Sequence, residues 1–216
     1  MSELASRYQR VKDSIHAHVP LVAVSKFQST DAIQALYDLG HRDFGENRVQ
    51  ELKEKAQVLP KDIRWHMIGS IQTNKIKDFA PFVHLVHAVD RDKVAKELQK
   101  AAVKHDRQIE VLLQMHIAEE ASKHGYDADG LNRFDPVAYP NLHVKGLMGM
   151  ATFTEDMSQV RSEFQVLKAQ FDQLRSLHRK SYDTLSMGMS GDFELAIEEG
   201  STMVRVGSAI FGPRTY

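Results

Sequence analysis

The chain has 216 residues, a formal net charge of −1, 26% charged and 42% apolar residues, and no cysteine. These values suit one soluble globular domain spanning residues 1–216, advertise no basic surface for nucleic acid or anionic lipid, and exclude disulfides and cysteine-ligated zinc. No apolar run approaches the roughly 18–20 residues that span a bilayer, and the first residues lack the apolar core of a secretory signal, so a cytoplasmic protein is expected.

Leu4, Tyr8, Val11, Ile15 and Val19 recur at helical spacing, which predicts an amphipathic N-terminal helix packed on the body. The apolar run Pro20-Leu-Val-Ala-Val-Ser-Lys26 then reads as a buried strand, and Ser29, Thr30 or Asp31 can cap the helix that follows. Further along, the predicted strands are Arg42–Gly45, Ile63–Ile68, Val83–Val89, Ile109–Ile117, Leu142–Met150, Thr184–Met189 and Met203–Val206. Between them lie helical stretches at Glu46–Leu59, Asn74–Phe82, Arg91–His105, Ala128–Tyr139, Glu155–Lys180 and Asp192–Glu199, with Ala118–His124 as a polar loop and Ala209–Phe211 as a closing turn. Pro60 ends the Glu46–Leu59 helix, and Val160, Phe164, Leu167, Phe171 and Leu174 mark the inner face of the longest one. Eight strands alternating with helices imply parallel pairing with right-handed crossovers. The expected fold is an α/β (β/α)8 TIM barrel with an additional N-terminal helix. An open doubly wound sheet is disfavoured, because no Gly-x-Gly-x-x-Gly turn follows the first strand.

In such a barrel, reactive groups gather at the carboxyl ends of strands, and phosphate binds in the loops after the seventh and eighth. Lys26 stands at the end of the first strand. A lysine placed there loses part of its hydration, which favours a neutral amine able to attack a carbonyl; the alternative is a side chain that simply reaches solvent. After the seventh strand comes Ser186-Met-Gly-Met-Ser190-Gly-Asp192, and after the eighth Arg205-Val-Gly207-Ser208. Each run offers glycine, hydroxyl and free N–H groups suited to an anion, although either alone is an ordinary turn. Arg205, inside the apolar strand Met203-Val-Arg-Val, must find acceptors, either at the site mouth or in an ion pair with Glu46, Glu198 or Glu199. His84-x-x-His87 puts its rings on opposite faces of a strand, so no metal site is expected there. His66 near the third strand's end reads as a hydrogen-bonded structural histidine or a site residue.

Assembled in order, these blocks resemble the pyridoxal 5′-phosphate homeostasis proteins, a family related to the N-terminal barrel of alanine racemase. The resemblance runs through Val22-Ala-Val-Ser-Lys26, Asp43-Phe-Gly-Glu-Asn47, Trp65-His66 with Ile68-Gly69, Asn74-Lys75, Ser122-Lys123, Gly146-Leu147-Met148, Leu185-Ser-Met-Gly-Met-Ser190 and Glu199-Gly-Ser-Thr-Met-Val-Arg205 with Gly207. It implies a (β/α)8 barrel in which Lys26 forms a Schiff base with pyridoxal 5′-phosphate, Ser190, Gly207 and Ser208 hold the phosphate, and Arg205 faces the pyridine nitrogen. Asn47, His66 and Asn74 are implied near the ring. Arg48 stands where many relatives carry tyrosine, Met67 and Ile71 vary within their block, and Ser208 replaces a frequent threonine.

The function implied is binding, buffering and delivering the cofactor in vitamin B6 homeostasis, by a monomer that meets apo pyridoxal-phosphate enzymes transiently, without substrate turnover. Racemases of related fold add a second domain carrying a catalytic tyrosine, whereas only four residues follow Gly212 here. The competing readings are a pyridoxal-phosphate racemase or decarboxylase, a cofactor-free Schiff-base aldolase, and a phosphate-binding barrel with a structural Lys26.

Overall fold

The computed structural model describes residues 2–15, 18–120, 124–177 and 182–213. Eight parallel strands follow one another around the sheet: β1 (Leu21–Val24), β2 (Asp43–Glu46), β3 (Arg64–Met67), β4 (Leu85–Val89), β5 (Ile109–Gln114), β6 (Leu142–Met148), β7 (Thr184–Ser186) and β8 (Val204–Val206). β8 pairs with β1 through Leu21↔Val204 to Ala23↔Val206, and a bridge between Ser186 and Met203 joins β7 to β8. The sheet therefore closes on itself as a (β/α)8 barrel, as expected.

Helices α1 (Glu3–Ser14), α2 (Thr30–Asp38), α3 (Val49–Val58), α4 (Asp92–Lys104), α5 (Ala128–Arg133), α6 (Met157–Leu177), α7 (Phe193–Glu198) and α8 (Ser208–Phe211) accompany the strands. Local chemistry sets their starts. Ser2 and Ser29 accept from the amides of Ala5 and Ala32, and Asp127 accepts from Gly130 N–H at 2.6 Å, each satisfying a donor that a helix start leaves free. Along α6 the predicted stripe of Val160, Phe164, Leu167, Phe171 and Leu174 is buried, each side chain contributing about 1.5–3 kcal/mol by leaving water. α1 caps the last helix: Arg7 donates to the carbonyls of Ile210 and Phe211 at 2.9 and 3.1 Å.

Several expected elements are shorter than their hydrophobic runs. Asn74–Phe82 is a 3-10 turn over Thr73–Asp78, and Ala128–Tyr139 divides into α5 and a 3-10 turn at Pro136–Ala138, since Pro136 lacks the N–H that would continue the helix. Glu46 belongs to β2, and α3 begins only at Val49. β6 and β7 stop at Met148 and Ser186, and after β7 the chain turns at Gly188, with φ of 95°. A Cβ at Gly188 would lie 2.6 Å from that of Ala196, so the loop after β7 depends on glycine there. Ser122 and Lys123, and the end expected for α6, lie outside the described residues.

Candidate functional site

At the carboxyl end of the barrel a cavity of about 330 Å³ collects residues from four strand ends, within the usual size range of small-molecule sites. Its walls include Val24 and Lys26 after β1, Ala151–Thr154 after β6, Met189–Asp192 after β7, and Arg205, Gly207 and Ser208 from β8 and the turn beyond it. Lys26, Ser190, Arg205, Gly207 and Ser208, singled out far apart in sequence, thus share one space.

Lys26 is held from both sides. Ser25 before it is fully buried; its Oγ donates to Glu46 Oε1 at 2.6 Å, and its carbonyl accepts from Lys55 Nζ at 2.8 Å. Lys55 also reaches Glu46 at 2.8 Å and Glu51 at 3.1 Å. Burial raises the Glu46 carboxyl above its usual range while the Lys55 charge opposes it. Phe27 after Lys26 has φ of 64°, and its amide donates to Glu51 Oε2 at 2.8 Å. A phenylalanine in the left-handed region costs energy and persists only where surrounding bonds impose it. Arg48, where relatives often carry tyrosine, lies with its guanidinium 5.0 Å from the exposed Phe27 ring.

Across the cavity two backbone donors converge. Gly207 N–H and Ala209 N–H both donate to Ser190 Oγ, at 3.1 and 3.3 Å. The hydroxyl oxygen occupies the focus of a small nest of N–H groups, the arrangement that receives a phosphate oxygen. Arg205 sits at the middle of β8 opposite Val22 and is only 3% exposed. It donates through Nη1 to Ser186 Oγ at 2.7 Å and through Nη2 to the carbonyl of Gly149 at 3.0 Å. Burial pushes its pKa down to about 10, against the attraction of Asp192. The acids considered as its ion-pair partners are engaged elsewhere, Glu46 with Lys55 and both Glu198 and Glu199 with Arg161. The guanidinium is thus fixed by neutral acceptors, with further donors available to the cavity it lines.

Three other expected site residues do not form the cavity wall. Asn74 is exposed on the 3-10 turn, and His66 lies 1% exposed inside the barrel, bonded to His87 and Asp43. Asn47 follows β2, and its Oδ1 is buried without a hydrogen-bond partner. Sequence reasoning passed over the loop after β6. Thr152 there is clamped by Glu163, which accepts from its amide and its hydroxyl at 2.6 Å each. The available signal was the polar run Ala151-Thr-Phe-Thr-Glu155 at a strand's carboxyl end.

The model of the family "Alanine racemase, N-terminal domain" matches residues 1–215. A pyridoxal phosphate homeostasis protein of Aquifex aeolicus is 39% identical over 91% of this chain and 87% of its own, and one of Vibrio alginolyticus is 41% identical over 92% and 88%. The chain is a member of the alanine racemase N-terminal domain family, among the pyridoxal phosphate homeostasis proteins. PipY of Synechococcus elongatus, solved with pyridoxal phosphate bound, superposes with a TM-score of 0.88 at 31% identity, covering 97% of this chain and all of that one. Alanine racemase of Bartonella henselae, 17% identical with a TM-score of 0.73, shares the fold, and the chain spans 58% of its length.

Proposed function

We infer that this protein binds pyridoxal 5′-phosphate and acts in its homeostasis, holding and releasing the cofactor rather than turning over a substrate. The observation that carries the reading is one cavity uniting a strand-end lysine, two N–H donors aimed at a single oxygen, and a buried arginine that none of the expected carboxylates pairs with. These residues fit the cofactor's chemistry: an amine for its aldehyde, a nest for its phosphate, and a donor for its ring nitrogen. The names of the relatives and the cofactor in PipY support the same assignment.

In this reading Lys26 Nζ holds the aldehyde carbon covalently, with one water lost. Ser190, Gly207 and Ser208 hold the phosphate, and Arg205 faces the ring nitrogen. Asn47 has an unpartnered acceptor to offer the ligand; Asn74 and His66 lie outside the cavity wall. Bound pyridoxal phosphate supplies an electron-withdrawing ring conjugated to the lysine-linked carbon. A guanidinium can only donate a hydrogen bond, so Arg205 leaves the ring nitrogen unprotonated. That weakens the ring as an electron sink and favours a carrier over a racemase or decarboxylase.

A monomeric barrel of one domain, acting in the cytoplasm and meeting apo pyridoxal-phosphate enzymes transiently without contacting nucleic acid or membrane, completes the proposal. It is supported by the near-neutral charge and the absence of cysteine, and, among the described residues, no helix is long and apolar enough to cross a membrane. The test is to add pyridoxal phosphate, reduce with borohydride and map the peptides. The expected adduct sits on Lys26 and is missing from Lys26→Ala. A colourless protein, or an adduct on Lys75 or Lys123, overturns the reading.

A further inference from the structure

Behind Arg205 the barrel interior is polar where a core of Val, Ile and Leu would be ordinary. Ser186 Oγ, which accepts from Arg205, lies 3.1 Å from His87 Nδ1; His87 Nε2 lies 2.9 Å from His66 Nδ1; and His66 Nε2 lies 3.1 Å from Asp43 Oδ1. Ser186 and His87 are fully buried and His66 is 1% exposed. β7 and β4 are not neighbours in the sheet, so the contact between Ser186 and His87 crosses the interior. Asp43 opens β2, and its carboxylate accepts from Arg64 Nε at 2.7 Å and from Arg64 Nη2.

The two ends of this chain have fixed polarity. Arg205 has no acceptor, and a carboxylate has no proton to donate. Only one arrangement then satisfies every atom between them. Arg205 donates to Ser186, whose hydroxyl proton goes to His87 Nδ1. His87 Nε2–H donates to His66 Nδ1, and His66 Nε2–H donates to Asp43. Both rings are neutral and carry their proton on Nε2. Reversing either ring, or adding a second proton to His66, would deprive the buried Ser186 proton of its acceptor, and buried polar groups are rarely left unpaired. The surroundings agree. Burial holds the His87 pKa well below its ordinary value, and the Arg205 charge acts in the same direction. Burial raises the Asp43 carboxyl, but the hydrogen bonds from Arg64 and His66 and the Arg64 charge hold it well below the usual carboxylate range.

Asp43, His66 and His84 also come within metal-ligand reach of one another. However, Arg64 engages both Asp43 oxygens, and the His66 Nε2 proton points at one of them. That cluster is therefore the anchor of the chain rather than a cation site.

We propose that Ser186, His87 and His66 are positioning residues, a one-way hydrogen-bond chain anchored on the Asp43–Arg64 pair that orients the Arg205 guanidinium toward the cofactor. The chain obliges Ser186 Oγ to accept, which locks the direction in which Nη1 points. The effect on the cofactor rests on the reading that Arg205 faces its ring nitrogen, whereas the proton arrangement is a property of the protein alone.

The experiment therefore has two arms. Long-range 15N–1H spectra of the apo protein at neutral pH should show both His66 and His87 as neutral rings protonated on Nε2; an Nδ1 proton on either ring overturns the chain whether or not cofactor binds. In the second arm, His87→Leu, of similar volume, should weaken cofactor binding about tenfold, the loss of one charged hydrogen bond, and shift the absorbance of the lysine-bound cofactor. Because His87 acts through Arg205, adding His87→Leu to Arg205→Ala should cost nothing further. A His87→Leu variant that melts lower yet binds like wild type, or losses that add in the double variant, would reduce the histidines to core filling. Should His87→Leu not fold, the spectra of the wild type still decide. If the wild type binds no cofactor, the functional reading fails while the proton arrangement stands or falls on its own spectra.

Discussion

Replacing Arg205 by alanine separates a cofactor-directed arginine from a structural one. In the apo protein the substitution acts in two opposing directions. It leaves Gly149 O and the acceptor side of Ser186 Oγ, bonded to Arg205 at 3.0 and 2.7 Å, without their donors; each orphaned buried group costs about 1–3 kcal/mol. It also removes a guanidinium whose pKa burial has pushed down to about 10, which corresponds to roughly 3 kcal/mol of disfavour for the charged form. The two contributions largely offset, leaving a net loss of at most about 3 kcal/mol and a fall in Tm within about 12 °C for a chain of this size. In the holo protein the variant also forfeits a charge-assisted hydrogen bond to the ligand, about 1.5–3 kcal/mol, or roughly 10- to 150-fold in affinity. The covalent hold of Lys26 remains. The assay is differential scanning fluorimetry of both apo proteins beside equilibrium dialysis of pyridoxal phosphate. Unchanged cofactor retention together with a much larger apo destabilisation would refute the reasoning and make Arg205 a structural element of β8.

If the convergent amides of Gly207 and Ala209 and the hydroxyls of Ser190 and Ser208 grip the phosphate, pyridoxal should bind at least about tenfold more weakly than its ester for each bond lost, measured by absorbance titration; equal affinity would remove the phosphate from these loops. In heavy water, L-alanine and other amino acids should show no α-proton exchange with the loaded protein above that with free cofactor, followed by proton NMR; rapid exchange would reveal a working electron sink. Asp43, whose carboxyl is depressed in the fold, contributes stability that is present above the ordinary carboxylate pKa near 4 and is lost as pH falls below it. Apo melting of Asp43→Asn should accordingly be lower than wild type at pH 7 and decline less steeply from pH 5 to pH 2; parallel curves would deny Asp43 that role.

Much of the architecture is written in local pattern. Alternation and apolar runs located all eight strands in order, because a strand buried between a barrel core and an outer helix must be apolar whatever its neighbours. The stripe on α6 and the Ser29 cap were legible for the same reason: period and capping are properties of consecutive residues. Arg205 could be chosen as a charge inside an apolar strand, and Lys26, Ser190 and Gly207 because a parallel barrel delivers every strand's carboxyl end to one rim. The rule needs only the order of elements.

What required the tertiary structure is everything that depends on how the barrel closes. That Arg205 lacks its supposed carboxylate partners follows from Arg161 reaching across from α6 to take Glu198 and Glu199. The wall contributed by Ala151–Thr154 and the left-handed turn at Phe27 depend on carboxylates of α6 and α3, contacts that no spacing encodes. His66 could be read from the sequence as a hydrogen-bonded structural histidine or a site residue, and only the structure shows it pointing inward to the His87 ring. That ring meets Ser186, 99 positions further along, only because β4 and β7 face each other across the closed interior. Local sequence sets which residues are strand and which face alternates, whereas the partners of a buried polar group are set by register and closure, and these exist only once the last strand pairs with the first.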